Sequence, residues 1–356
     1  DGYRRFSQHQ VELLTLPAQF WKWRMQGGAI TIRRLLDKID ALPDFLLVSG
    51  MINLATLRAL LTRQWRTIPT VIYFHETQLT YPQNSRQAHG WQYGFINYIS
   101  ALAADYAFFN STYHLKIFLE TLPNMLKHFG DYNELQTVDE IRKKSAVLPL
   151  GLNLGRFDPY RPVRKPENRP SLILWNHRWE EDKNPQAFFE ALHRLKQRDI
   201  PFQVVITGEN VRKQPVEFEE ARKRLRKEIV HYGYLQEFAA YARLLWQADI
   251  AVSTATQDFF GGSIAEAIYC ECVPVLPDRL NYPDLLTPDA RPHFLYRGKT
   301  PFHRLRQCLE SKTHLQFDLE ALRSHISQFD WRVIAPLYDS VFEAIYHGNT
   351  PFALLK

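Results

Sequence analysis

An acid, a glycine turn and a second acid follow closely in Asp258-Phe259-Phe260-Gly261-Gly262-Ser263-Ile264-Ala265-Glu266. The apolar run Ile250–Thr254 precedes them and a helix-like run, Ile264–Cys270, follows. A strand, a tight turn and a helix in that order aim backbone N–H groups and a positive dipole end at one point, where a phosphate binds well. Phe260, Gly261, Gly262 and Ser263 would line that point. Carboxylates on both sides, Asp258 and Glu266, suit a ligand with both phosphates and hydroxyls, such as a nucleotide-sugar. Ser263 with Glu266 also matches a Ser-x-x-Glu capping box, which any helix can use. The residues alone leave both readings open.

Upstream, Arg178 and Lys183 stand five residues apart in Trp175-Asn176-His177-Arg178-Trp179-Glu180-Glu181-Asp182-Lys183-Asn184-Pro185, between a strand-like and a helix-like run. A diphosphate leaving group gains negative charge as its bond to a sugar breaks. Fixed cations in a water-poor cleft stabilise that charge more in the transition state than in the ground state. The bland alternative is a solvated helix start whose acids complement the dipole. In the first half, His75-Glu76 follows the run Val71–Phe74 and precedes the loop Thr77-Gln78-Leu79-Thr80-Tyr81-Pro82. A lone histidine is more often structural than catalytic, but a polar loop after a strand favours a site. Asn110-Ser111 ends the next run in the same way and equally suits a helix cap. Trp21, Trp23, Tyr81, Trp91 and Tyr93 offer aromatic faces to a base or a sugar ring, or to the core.

Alternating elements are needed to bring these residues together. Strand candidates in the first half are Val11–Leu16, Phe45–Ser49, Val71–Phe74, Tyr106–Asn110 and Ala146–Leu150. Helical spacing occupies Thr31–Ala41, Leu54–Gln64, Tyr93–Ala104 and Tyr113–Glu120. The second half repeats the alternation with strand candidates Leu172–Asn176, Gln203–Gly208, Val230–Tyr234, Ile250–Thr254, Val273–Leu276 and Phe294–Tyr296. Short buried strands between longer helices imply parallel sheets, with ligands at the carboxyl ends of the strands. Four prolines among charges in 158–170 mark a linker. The expected division is a first domain at 1–157, a second at 171–330, and a C-terminal helical segment, 331–356, packed across both.

At 356 residues the chain suits two domains of about 150–200 residues. Lys+Arg 44 against Asp+Glu 38 gives +6 and a pI near 9.1, compatible with nucleotide, nucleic acid or an anionic surface without choosing among them. The densest basic stretch, Arg212 to Lys227, is interleaved with acids and reads as a solvated face. Three cysteines without paired spacing give no disulfide framework and no zinc site, which points to a reducing, cytoplasmic setting. No apolar run is long enough to span a membrane. Asp1-Gly2-Tyr3-Arg4-Arg5-Phe6 lacks an initiator Met and reads as a helix end, so an opening strand and glycine turn are expected ahead of it.

Together these motifs resemble the retaining GT-B glycosyltransferases of family 4, which carry two carboxylates with seven residues between them around a glycine turn. Here the pair is Asp258 and Glu266, with Asp at the first position. The closer resemblance is to the tRNA-queuosine α-mannosyltransferase family. It rests on Leu16-Pro17-Ala18 with Trp21-Lys22-Trp23-Arg24, Tyr73-Phe74-His75-Glu76 with Gln78-Leu79 and Tyr81-Pro82, and Gln92-Tyr93-Gly94. It continues through Phe109-Asn110-Ser111, His177-Arg178-Trp179-Glu180 with Asp182-Lys183, and Phe259-Phe260-Gly261 with Glu266-Ala267. The resemblance implies an α/β GT-B fold, two Rossmann-like doubly wound domains facing across a cleft. It implies transfer of mannose from GDP-mannose to queuosine in tRNA, without a metal or other cofactor. Arg178, Lys183, Phe260, Gly261, Gly262, Ser263 and Glu266 would bind the donor, and His75, Glu76 and Asp258 would join Arg178 and Lys183 in catalysis. Gln78, Tyr81, Trp91, Tyr93 and Asn110 would meet the acceptor. Two other readings fit the same residues: a peripheral-membrane glycosyltransferase on a lipid or cell-wall acceptor, and a catalytically decayed tRNA-binding protein.

Overall fold

A computed structural model describes residues 2–80, 91–163, 169–209, 216–311 and 317–355. The chain divides into two compact units, Asp1–Gly151 with Ile334–Lys356, and Leu152–Val333. Each is built on a parallel sheet.

In the first unit the strands are β1 (Leu46–Ser49), β2 (Thr70–Phe74), β3 (Tyr106–Phe109) and β4 (Ser145–Val147). They lie side by side in that order, all parallel. All five β2 residues are buried, as expected of a strand covered on both faces. Beside it Phe74, Phe109 and Phe118 pack ring on ring at 4.9–5.2 Å. Helices Trp21–Leu36, Leu54–Leu60, Trp91–Ala103 and Thr112–Leu126 supply the rest of the core.

Three expectations need correction here: besides the two that follow, the helix expected over Thr31–Ala41 runs instead over Trp21–Leu36. Val11–Leu16 forms no strand; it runs as an extended loop, with Leu14 packed on the core and Leu16 against Gly28 of the following helix. With no strand on the far side of β1, the described part of this sheet runs one way only. The helix read over Leu54–Gln64 breaks at Leu61, whose ψ of 146° is extended, and a short helix Arg63–Arg66 follows. Thr137–Lys143, a seven-residue helix, was not read from the sequence at all.

The second unit contains β5 (Leu172–Asn176), β6 (Gln203–Thr207), β7 (Ile229–Tyr232), β8 (Ile250–Val252), β9 (Val273–Pro277) and β10 (Leu295–Tyr296), in the order β10-β9-β8-β5-β6-β7. All pairs are parallel. The chain moves outward one way from β5 and the other way from β8. The loops after β5 and β8 therefore diverge, leaving a crevice at their carboxyl ends. Those are the loops that carry Arg178 and Lys183 on one side and Asp258 on the other.

The stretch expected to close the first domain and open a linker is instead fastened to the second unit. Leu154–Tyr160 is a 3-10 helix in which Phe157 is fully buried, and Trp246 Nε1 donates to the Phe157 carbonyl at 2.8 Å. Tyr269 and Arg323 bond to Asp158. The final long helix, Trp331–Tyr346, joins the first unit from Ile334 onward. There Tyr338 donates to the Pro149 carbonyl at 2.8 Å, and Phe342 packs on Phe45.

Candidate active site

The loop after β8 is shaped by its own acid. Asp258 Oδ1 accepts from the Gly261 N–H at 2.8 Å and the Phe260 N–H at 3.3 Å, which folds the turn back on itself. Gly261 sits at φ 89°, and a Cβ there would lie 3.0–3.1 Å from Leu285 and Tyr282. Both the backbone angle and the crowding call for glycine. Asn281 Nδ2 ties down the Phe260 carbonyl, and the Phe260 ring is buried against Phe329.

Helix Gly262–Tyr269 starts from Gly261 without a side-chain cap. The capping-box alternative for Ser263 and Glu266 is therefore wrong. The helix begins after Gly261 with no side chain capping it, a start whose N–H groups and dipole suit an anion. Glu266 points elsewhere. It accepts from Arg156 Nη2 at 2.8 Å and from the Tyr241 hydroxyl at 2.9 Å. Burial raises its pKa, with Arg156 and Tyr241 opposing that rise.

Lys183 reaches the same loop from the β5 side. Its ammonium donates to the Gln257 carbonyl at 2.6 Å and lies 3.8 Å from Asp258 Oδ2 and 3.2 Å from Asp182 Oδ2. Only 8% of the residue is exposed, so the solvated-helix reading fails for Lys183. Arg178 differs: its side chain is half exposed, 3.3 Å from Glu180, and lines the cavity described next.

Between the ends of β5, β6 and β7, within the second unit, lies a cavity of about 410 Å³. Arg156, Asn176, His177, Arg178, Gly208 and Tyr241 are among its walls. The Arg156 guanidinium stacks over Phe238 at 4.3 Å while it pairs with Glu266. Asn176 Nδ2 holds the Ser263 carbonyl at 2.9 Å, and its Oδ1 is buried without a hydrogen-bond partner. His177 is buried, its Nε2 is likewise unmatched, and burial together with Lys183 lowers its pKa to about 4. The imidazole is therefore neutral at physiological pH. Gly208, at φ 151°, lets the chain pass directly beneath the His177 carbonyl.

In the first unit the loop after β2 carries His75, Glu76 and Gln78. His75 is exposed and rests edge-on against Tyr73 at 4.7 Å, and the protein packed beneath it lowers its pKa by desolvation. Gln78 Nε2 donates to Glu76 Oε1 at 2.8 Å, and the Gln78 N–H is held by buried Asn97 at 2.7 Å. Asn110 is buried, with Nδ2 on the His75 carbonyl at 2.8 Å and Oδ1 2.8 Å from His114 Nδ1. It supports the loop that carries His75. Trp91 and Tyr93 lie half-buried on the first turn of helix Trp91–Ala103, with Tyr93 against Trp21 at 5.2 Å. Tyr81 falls outside the described residues. Ser111 caps Thr112–Leu126 by accepting from the His114 N–H.

Arg156, Asn176 and Tyr241 carry no signal that singles them out in the sequence. Arg156 sits where a domain end was expected, and Tyr241 lies inside an ordinary amphipathic helix, so neither carried a local signal. Among the described residues no group of acids, histidines and cysteines is arranged to hold a metal, and all three cysteines are buried. No described helix is long and apolar enough to cross a membrane.

Anabaena HepE in complex with UDP superposes with a TM-score of 0.63 at 13% identity, covering 89% of this chain and 82% of that one. Sucrose-phosphate synthase from Thermosynechococcus elongatus gives 0.63 at 14% identity over 95% and 82%. These likenesses show the GT-B fold. A GDP-mannose-dependent alpha-(1-6)-phosphatidylinositol dimannoside mannosyltransferase of Mycobacterium tuberculosis is 27% identical over 151 residues, 41% of this chain and 39% of the relative. The family profile for glycosyl transferases group 1 matches residues 157–298, and that for the N-terminal part of tRNA-queuosine alpha-mannosyltransferase matches residues 1–152. The tRNA-queuosine alpha-mannosyltransferase of Drosophila melanogaster is 34% identical over 280 residues, 77% of this chain and 74% of the relative. With a family-specific match over its first 152 residues and a relative this similar across three quarters of its length, the chain belongs to the tRNA-queuosine alpha-mannosyltransferase family.

Proposed function

We propose that this chain transfers mannose from GDP-mannose to a ring hydroxyl of queuosine in tRNA, with retention of configuration, in the cytoplasm. The observation that carries the reading is that Arg156 and Tyr241, on the wall of a cavity at the strands' carboxyl ends, both bond to Glu266. Each carboxylate oxygen of Glu266 accepts one protein hydrogen bond and keeps lone-pair capacity for a ribose hydroxyl. Lys183, Arg178 and the uncapped start of helix Gly262–Tyr269 then take the diphosphate. Asp258, already fixed by two amide N–H groups, takes sugar hydroxyls. By resemblance, His75 and Glu76 of the first unit are assigned to the mannose and the acceptor, and Gln78, Tyr81, Trp91 and Tyr93 to the acceptor.

In the transfer, the bond from the anomeric carbon to the diphosphate breaks as the acceptor oxygen bonds on the same face. The acceptor proton passes to the leaving phosphate oxygen. Lysine, arginine and backbone dipoles stabilise the charge that develops there, so the reading requires no metal or other cofactor. The match of residues 1–152 favours tRNA over a lipid or cell-wall acceptor. The buried, paired Lys183 favours a working enzyme over a decayed tRNA-binding protein.

Boronate gels test this directly, because they retard tRNA that carries the free queuosine diol. Retardation is expected to disappear only when protein, GDP-mannose and queuosine-containing tRNA are all present. Unchanged retardation alongside GDP-mannose hydrolysis would point to a different acceptor. Unchanged turnover in Arg178→Ala would remove that residue from the diphosphate site.

A further inference from the structure

The family-specific match covers residues 1–152, whereas residues 157–298 match glycosyl transferases at large. Features that choose the acceptor are therefore to be sought in the first unit. Its helix Trp21–Leu36 opens with Phe20-Trp21-Lys22-Trp23-Arg24, and two of these aromatic rings stand in solvent: Phe20 is 76% exposed and Trp23 62% exposed. Phe20 takes a left-handed backbone at φ 52°, a costly conformation for a bulky residue. The Trp23 indole lies over Gly27, where a Cβ would come within 2.8 Å of its Cζ2. One ring face thus rests on the helix and the other is open.

A chain of contacts links this patch to the loop after β2. Trp21 packs on Tyr93 at 5.2 Å, and Leu79, next to Gln78, fills the space a Cβ on the neighbouring Gly94 would take. Lys22 lies 5.8 Å from the Trp21 ring centre, and Arg24 follows one residue beyond Trp23. Flat apolar rings between cations match the chemistry of unpaired RNA, whose bases stack on aromatic faces while phosphates meet the charges. A lipid surface would instead favour a broad apolar face without a preset ring plane.

We infer that Phe20 and Trp23 form a stacking platform for unpaired nucleotides of the tRNA beside the one that is mannosylated, with Lys22 and Arg24 taking the flanking phosphates. This rests on the tRNA reading above. Trp23 contributes affinity for the acceptor and no contact with the donor.

The test uses the full chain and queuosine-containing tRNA, with Trp23→Ala, Trp23→Leu and Trp23→Phe compared by fluorescence anisotropy and steady-state kinetics. Loss of one stacked base corresponds to a fall in affinity of roughly 5- to 150-fold. Trp23→Ala is expected to raise Kd and KM for tRNA within that range. The salt slope, the GDP-mannose KM and kcat at saturating tRNA should stay within about twofold, because stacking releases no counterions. Trp23→Phe should recover most of the loss and Trp23→Leu should not, since leucine restores apolar bulk without a π face. Wild-type affinity in Trp23→Ala, or full recovery in Trp23→Leu, overturns the platform while leaving mannosyl transfer intact. So does loss of binding to phosphatidylserine-containing vesicles with tRNA binding unchanged, which would make the patch a membrane face. A wild-type chain that binds no tRNA overturns the platform and the underlying reading together.

Discussion

The Lys183 ammonium lies 3.8 Å from Asp258 Oδ2, joining the loop after β5 to the loop after β8 across the point where the sheet order reverses. In the function proposed above, a cation held there by a carbonyl and two carboxylates meets the leaving diphosphate. Lys183→Ala removes it and leaves Asp182 and Asp258 without their cation. Loss of an electrostatic contact to developing charge typically lowers kcat by about 10²–10³-fold. A steady-state assay with GDP-mannose and tRNA should show that fall, and a change of only a few-fold would take Lys183 out of the transition state.

Tyr241 is expected to act through Glu266. Tyr241→Phe removes one hydrogen bond to a largely buried carboxylate, worth about 1–1.5 kcal/mol. The donor KM should rise roughly 5- to 15-fold, with kcat and the tRNA KM little changed. Isothermal titration with GDP would read the same loss in Kd. An effect on the tRNA KM alone would contradict the placement of Glu266 on the donor.

Gly208 tests the backbone crossing under the cavity. A Cβ there would lie 1.7 Å from the His177 carbonyl oxygen, at a φ of 151° that L side chains avoid. Gly208→Ala should destabilise the protein by about 3 kcal/mol or more, visible as a large drop in Tm. Gly130→Ala, where a Cβ meets nothing within 4 Å, is the control and should shift stability by less than about 0.5 kcal/mol.

Acid should destabilise the protein for an identifiable reason. His177 and His114 are held neutral by burial, with pKa values lowered to about 4 and about 3. In the unfolded chain both titrate near the ordinary 6.5, so between pH 6.5 and 4 the unfolded state binds more protons. Their contribution is complete above about pH 6.5 and is lost as pH falls through that window. Thermal melts from pH 7.5 to 4.5 should show the decline, and His114→Gln or His177→Asn should flatten it. A flat profile in the wild type would show that neither group is buried neutral.

Much of this architecture was legible because buried parallel strands announce themselves. β5 was read with its observed bounds, Leu172–Asn176, since an apolar run lies between Pro170 and a polar loop. Val11–Leu16 misled because an apolar run reveals burial but not a pairing partner. Thr137–Lys143, Phe302–Ser311 and Leu319–Ser327 were missed; they are short and polar on one side, and tertiary packing rather than local pattern selects them. Of the candidate site residues, His75, Arg178, Lys183 and Asp258 lie in loops after strands, a position the sequence pattern shows. Arg156 and Tyr241 were not legible there, because they come from a 3-10 segment and a helix that only the fold brings to Glu266.

The most direct measurement of the central claim is nucleoside analysis of queuosine-containing tRNA after incubation with this chain and GDP-mannose, followed by digestion with α- or β-mannosidase. The expected product is a mannosyl-queuosine nucleoside that α-mannosidase cleaves and β-mannosidase does not, formed by the wild type and strongly diminished in Lys183→Ala. An unmodified queuosine, or a product open only to β-mannosidase, would contradict that claim.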